Sequence, residues 1–296
     1  MNNRVQDKNT IISVLSNIIF APHFFPLIKL YFSDNVKIYS IPYGEQNDDE
    51  HYKHLANSDI ILVWLNIETA FSNVWNTLYS QTATEQQIID NIILSCNRLY
   101  GDLQAYKNAH VFWFIFEDYF IKHPVLLGYN YDALVDKINI ELSSTLKNNV
   151  SFIDLKRLIA EVGIVNAYDP KGKYRWNAPY SKALIEAAIK ELHKQYLIEK
   201  GITKKCLVLD CDNVLWGGIL SEDGIENLKL SGSGSGRVYQ DFQQFVLSLF
   251  YHGVILAVCS KNDLSDVLSM FREHSEMILK EEHIACFQVN WEDKPS

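Results

Sequence analysis

Residues 204–230 read KKCLVLDCDNVLWGGILSEDGIENLKL, and the step from Cys206-Leu207-Val208-Leu209 into Asp210-Cys211-Asp212-Asn213 decides the fold of this part of the chain. A short apolar run ending in charge is the pattern of a strand in a parallel sheet. The carboxyl edge of such a sheet is where α/β enzymes place their chemistry. Two carboxylates at i and i+2 both face that edge if the strand opens into a turn. One, Asp210, is then a candidate nucleophile toward phosphorus that also ligates a metal. The other, Asp212, is a candidate to protonate the leaving group and later activate water. Magnesium takes hard oxygen ligands and neutralises phosphoryl charge, so it is the expected cofactor. Surface turns also supply many Asp-x-Asp pairs, so the downstream pattern has to arbitrate.

Downstream, residues 253–259 (GVILAVC) form a second strand pattern ending at Ser260-Lys261-Asn262-Asp263. A hydroxyl at that tip, Ser260, with Lys261 and Asn262 beside it, is a candidate for holding phosphoryl oxygens. A following helix capped by Asn262 or Asp263 aims backbone N–H groups at an anion. A third strand pattern, residues 286–289, leads into Asn290-Trp291-Glu292-Asp293-Lys294. There Lys294 is placed to tether nucleophile and phosphate as a point charge. Between the first two strands lie a helix over residues 237–251 and the stretch SGSGSG (231–236), which reads as a flexible loop. The Trp216-Gly217-Gly218 turn and an Asp223-Gly224 hairpin tip read as a mobile flap. No length remains for a cap domain.

An acid pair, a strand-end Ser and a strand-end Lys, in that order, resemble the signature of the haloacid dehalogenase superfamily. Residues 204–230, VILAVCSKND (254–263) and VNWEDK (289–294) are similar to its FkbH-like branch, the IIIC phosphatase subfamily; Val214 stands where that family usually has Thr. The resemblance implies that Asp210 is nucleophile and magnesium ligand, and that Asp212 is acid/base and lends a carbonyl to the metal. It implies Ser260 and Lys294 as phosphate ligands and Cys259 as a candidate acyl-carrying thiol, although strand alternation points Cys259 away from the phosphate. It further implies a phosphorylated glycerate such as 1,3-bisphosphoglycerate as donor and an acyl carrier protein as partner. A plain small-metabolite phosphatase and a non-catalytic binding module remain as alternatives. The family's fourth, acidic motif lies on one more strand beside the one carrying Asp210, and residues 1–296 end before it. The chain is therefore expected to stop short of a complete domain, to leave residues 207–209 on an open edge, and to bind magnesium poorly and turn over slowly.

The first two thirds show strand-like runs at 11–15, 36–41, 59–65 (DIILVWL), 111–116 (VFWFIF) and 150–153. Helix-period stretches lie between them, as at 85–109 and 131–147. This alternation indicates an α/β sheet with right-handed crossovers. Residues 168–179 read as a polar connection, with Arg175, Trp176 and Asn177 in a linker. Ser181 caps a helix that runs through Leu197 and is stopped by Gly201. The expected architecture is two α/β domains with parallel sheets, residues 1–201 and 202–296. ILSNIIFAPHFFPLIKLY and IPYGE resemble, more weakly, an SGNH-hydrolase-like domain. That fold needs a serine after its first strand and a late Asp-x-x-His. Ser16 stands in the first place, but no such histidine motif appears before residue 200, so Ser16 reads as a turn residue. Gly44 and Asn66 occupy oxyanion-hole positions yet read equally as turn residues, and His23 as a packed or exposed histidine.

A net charge of −9 disfavours nucleic acid as a partner. Five cysteines (96, 206, 211, 259, 286) without CxxC spacing suggest reduced, mostly buried thiols rather than disulfides or zinc. The amino terminus lacks a secretion signal and no apolar run reaches membrane-spanning length, so a cytoplasmic location is expected.

Overall fold

The computed structural model describes residues 10–20, 24–80, 82–119, 131–147 and 149–292. His23 and Lys294 lie outside them. The chain divides into two compact units, residues 1–200 and 201–296.

The first unit runs β1 (Ile11–Ser16), α1 (Phe24–Tyr31), β2 (Lys37–Pro42), α2 (Asp49–Ala56), β3 (Ile60–Trp64), α3 (Ile67–Ala70), α4 (Ser72–Tyr79), α5 (Glu85–Leu103), β4 (His110–Phe114), α6 (Tyr131–Thr145), β5 (Val150–Ile153), α7 (Leu155–Val162), α8 (Ile164–Ala167), α9 (Pro170–Trp176) and α10 (Lys182–Glu199). Its five strands are parallel in the order β2-β1-β3-β4-β5. The order reverses direction at β1, so right-handed crossovers put helices on both faces. Each face has its own core. Leu15, Val63 and Trp113 pack with α5 and α6 on one side, whereas Val14, Trp64 and Phe114 pack with α1 and α10 on the other. This explains why β3 reads as an unbroken apolar run, since all five of its residues are buried. In the first core, burial pushes the Cys96 thiol up to about 12, leaving it unreactive.

The stretch expected to be a plain polar connection contains α9. Asp169 accepts from Gly172 N–H at 2.9 Å and Pro170 opens the first turn, which is a strong start signal. Asn177 then ends α9 in the left-handed conformation. Its Nδ2 donates to Asn17 O at 2.7 Å, and its carbonyl accepts from Ile19 N–H. Asn177 therefore belongs to the body of the first unit rather than to a linker.

The second unit contains β6 (Cys206–Leu209), α11 (Leu220–Asp223), α12 (Arg237–Tyr251), β7 (Ile255–Ser260), α13 (Leu264–Glu273) and β8 (Ile284–Val289). The sheet is parallel in the order β6-β7-β8, and β6 pairs with no strand but β7 among the described residues. Strands that step in one direction with right-handed crossovers place both connecting helices on the same face. The core accordingly lies on one side, where Leu209, Leu256 and Val258 meet Val246, Val267, Met270 and Phe271. On the other side Val208 is 60% and Ile255 53% exposed. Thiols expected to be mostly buried are so only in part: Cys96 and Cys211 are buried, Cys259 is half-buried, and Cys206 and Cys286 are exposed.

Two loops differ from expectation. No hairpin follows β6; residues 220–223 form a helical turn closed by Gly224 at φ +69°, and only an isolated antiparallel bridge joins Gly217 to Lys229. Asp223 drives this, because its carboxylate accepts from Ile219 N–H at 2.9 Å and folds the chain locally. The SGSGSG stretch is a tight turn rather than an open loop. A Cβ on Gly236 would come within 2.6 Å of Ser231 N, so only glycine lets the backbone close there before α12.

Gln243 ties the unit together from inside α12. It is fully buried; Nε2 donates to Leu215 O at 2.7 Å, and Oε1 accepts from Ile278 and Leu279 N–H at 2.9 and 3.1 Å. Gln243→Leu strands three backbone groups away from water. It is expected to lower stability by about 2–4 kcal/mol, measured by urea denaturation.

Candidate active site

The pairing of Leu209 with Val258 brings the ends of β6 and β7 level. Asp210 follows the last residue of β6, half-buried, and Ser260 is the last residue of β7, 3% exposed. Ser260 Oγ donates to Asp210 Oδ1 at 2.8 Å, and Cys211 N–H donates to the same oxygen at 2.8 Å. The nucleophile predicted from sequence is therefore oriented by the serine predicted to hold phosphate. Ser260 Oγ has one proton, and here it is given to Asp210 Oδ1.

Asp212 is held more completely. Its Oδ1 accepts from Trp216 Nε1 at 2.9 Å and from Leu220 N–H at 3.1 Å; its Oδ2 accepts from Asn262 Nδ2 at 2.9 Å. Asn213, in the left-handed region at φ 57°, reverses the chain. Its side chain accepts from Gly218 N–H at 3.1 Å, closing a compact turn that returns Trp216 beside Asp212. Asn262 is 1% exposed and also donates to Ser260 Oγ at 3.1 Å. Its amide nitrogen thus bridges Ser260 and Asp212.

Lys261, between them, is exposed. Cys259 is half-buried, and the alternating burial of β7 puts it on the sheet face opposite Ser260, with Ile255 and Ala257. The geometry thus separates that thiol from the Asp210–Ser260 pair. Nor is the Trp216-Gly217-Gly218 turn a loose flap. Trp216 is fully buried and its ring lies edge-on to Phe271, 6.5 Å between centroids. Sequence reasoning missed Trp216 as a partner of Asp212, although its spacing of four residues from the acid was the available signal.

The Asp210 carboxylate supplies hard oxygen donors at the strand end, and this fits magnesium, which is commonly held by one or two carboxylates together with water and substrate phosphate. Among the described residues, the only three Asp, Glu, His or Cys side chains close enough to share an ion are Glu45, Asp48 and His51, in the first unit.

In the first unit, the carboxyl ends of β1 and β3 carry Ser16, Asn17 and Asn66. Ser16 Oγ donates to Trp64 O at 2.5 Å and accepts from Ile18 N–H at 3.0 Å, so its hydroxyl is committed to the backbone. Asn17 and Asn66 bind each other, Asn17 Oδ1 accepting from Asn66 N–H at 2.8 Å, and Asn66 caps α3. Gly44 lies at φ +100° in the turn after β2. Nearby, Tyr180 donates to Glu117 at 3.1 Å; burial first, and then that carboxylate, raises the phenol well above its ordinary value. Ser16 is thus a turn residue here, as its sequence context suggests.

A solved structure shares this arrangement of the chain. The N-terminal part of the protein BF1531 from Bacteroides fragilis, containing a phosphatase domain complexed with Mg, superposes with a TM-score of 0.78 at 23% identity, covering 98% of this chain and 79% of that one. The lipase Lip_vut3 from a goat rumen metagenome gives 0.45 at 13% identity, over 63% of this chain and 97% of that one. No known family pattern matches the sequence, and no curated protein matches it significantly. The likeness to the BF1531 fragment establishes the α/β fold with parallel sheets. No helix among the described residues is long and apolar enough to cross a membrane.

Gly217 is the point where the turn packs most tightly. An added Cβ would lie 2.6 Å from the Tyr239 ring. Gly217→Ala is expected to displace the ring or the turn and to cost about 1–3 kcal/mol in a thermal melt, with activity falling along with stability.

Proposed function

We propose that this chain carries a phosphatase-type phosphoryl-transfer site with Asp210 as nucleophile and Asp212 as acid and base. The observation that carries the reading is the hydrogen-bonded run Asp210–Ser260–Asn262–Asp212, which sets two carboxylates at one sheet edge with a buried serine between them. Asp210 attacks phosphorus as the bond to the leaving oxygen breaks, giving an aspartyl phosphate; Asp212 delivers the proton that the leaving oxygen takes up. Asp212 then removes a proton from water, the water oxygen attacks phosphorus, and Asp210 is regenerated with release of phosphate. Ser260 turns its hydroxyl to the phosphoryl oxygens in both steps. Magnesium, held by the Asp210 carboxylate and the Asp212 backbone carbonyl, would neutralise charge on the transferring group. The phosphatase domain with Mg named for the BF1531 fragment supports this reading.

The substrate we favour is a phosphorylated glycerate such as 1,3-bisphosphoglycerate, with an acyl carrier protein receiving the glyceryl group, as the resemblance of residues 204–230, 254–263 and 289–294 implies. Lys294 completes the proposed phosphate ligands, and a cytoplasmic setting suits such substrates. A small-metabolite phosphatase is the second reading, since Cys259 faces away from the Asp210–Ser260 pair.

Phosphate release from acyl phosphates and simple phosphomonoesters, with and without carrier protein, separates these readings. Asp210→Asn is expected to reduce release by at least about a thousandfold, because in this reading Asp210 carries the covalent intermediate. Release unchanged in that variant would refute the assignment, and absence of any carrier-dependent acceleration would refute glyceryl transfer.

A further inference from the structure

The proposed acid and base is useful only if its carboxylate stays where a leaving oxygen will be. Asp212 is not on the strand itself; it sits half-buried in the turn after β6, where an Asp side chain has several staggered positions to choose from. Three donors converge on it. Leu220 N–H comes from the start of α11, and Asn262 comes from the loop after β7. The third, Trp216 Nε1, belongs to a side chain with no solvent exposure whose ring packs against Phe271 of α13.

We propose that Trp216 is a positioning residue that acts through Asp212, a role that rests on the phosphatase reading above. An indole has one donor and no acceptor, so at 2.9 Å from Oδ1 it can only hold the oxygen, never exchange a proton with it. Its place in the core makes it the rigid arm of the three. Gln243 fixes the backbone one residue earlier through Leu215 O, and the Asp212–Trp216 bridge fixes the return of the turn. Core packing on α12 and α13 is thereby transmitted to one carboxylate oxygen. The other oxygen is set by Asn262, which also meets Ser260 Oγ, so acid and nucleophile are held in one frame. Such supporting partners fix the orientation of a reacting group without touching substrate.

Trp216→Phe keeps an apolar ring and removes the donor. With p-nitrophenyl phosphate and magnesium, kcat is expected to fall about 10–100-fold, as for other supporting hydrogen bonds, with KM within about twofold of the parent. Unchanged kcat, or a fall matched by loss of folded protein in a thermal melt, overturns the proposal. An independent arm needs no turnover and no metal. In a nitrogen–proton NMR spectrum of the chain, the Trp216 Nε1–H resonance, assigned by its absence from Trp216→Phe, should move upfield in Asp212→Ala, where the indole is intact and its acceptor is gone. A resonance that stays in place overturns the proposal. If the parent hydrolyses no phosphoester at all, the phosphatase reading fails, and the resonance still decides whether the indole holds Asp212.

Discussion

The 2.8 Å hydrogen bond from Ser260 Oγ to Asp210 Oδ1 joins the tips of β6 and β7, and the rest of the second unit is arranged to make it possible. It requires a parallel register in which Leu209 lies opposite Val258, so that two chain ends emerge side by side. It also requires Ser260 to face the covered side of its strand, the side on which Leu256 and Val258 are buried. With Ser260 3% and Asn262 1% exposed, their polar groups have lost water and must find partners within the protein. They find each other and the two aspartates. A one-residue slip of β7 would turn Ser260 to the opposite face and put Cys259 in its place.

The two units handle their sheet faces differently, and strand order is the cause. In the first, strands are added on both sides of β1, so helices cover both faces and two apolar cores form. In the second, strands are added on one side only, so α12 and α13 share one face. Val208, Ile255, Cys206 and Cys286 are exposed for that reason, and among the described residues β6 is paired on one side only. Apolar burial is worth about 25 cal/mol per Å², and in the second unit it is joined by buried polar ties such as those of Gln243.

At the carboxyl edge of the first sheet, the polar side chains are bound to the chain itself. Its serine donates to one main-chain group and accepts from another, and its asparagines are occupied with each other and with a helix cap. Every one of these bonds makes the turns after β1 and β3 firmer. The same bonds leave the Ser16 hydroxyl turned to the backbone.

Much of this could be read from the sequence. The period of apolar residues placed all eight strands of the described residues, and β5 and β6 to the residue, because continuous runs bounded by polar residues have few other uses. The positions of Asp210, Asp212 and Ser260 were legible because each lies where an apolar run gives way to polar residues, at or just past the ends of β6 and β7. Short-range signals were legible only in part. The Asp169-Pro170 start of α9 was hidden in a polar stretch, and the helical turn at 220–223 was hidden behind an Asp-Gly pair that resembles a hairpin. What the sequence could not decide is which groups meet across elements. That Trp216 holds Asp212, that Asn262 spans Ser260 and Asp212, and that one sheet face is left open all depend on register and crossover direction. These are set by the packing of distant segments, so they exist only once the chain has folded.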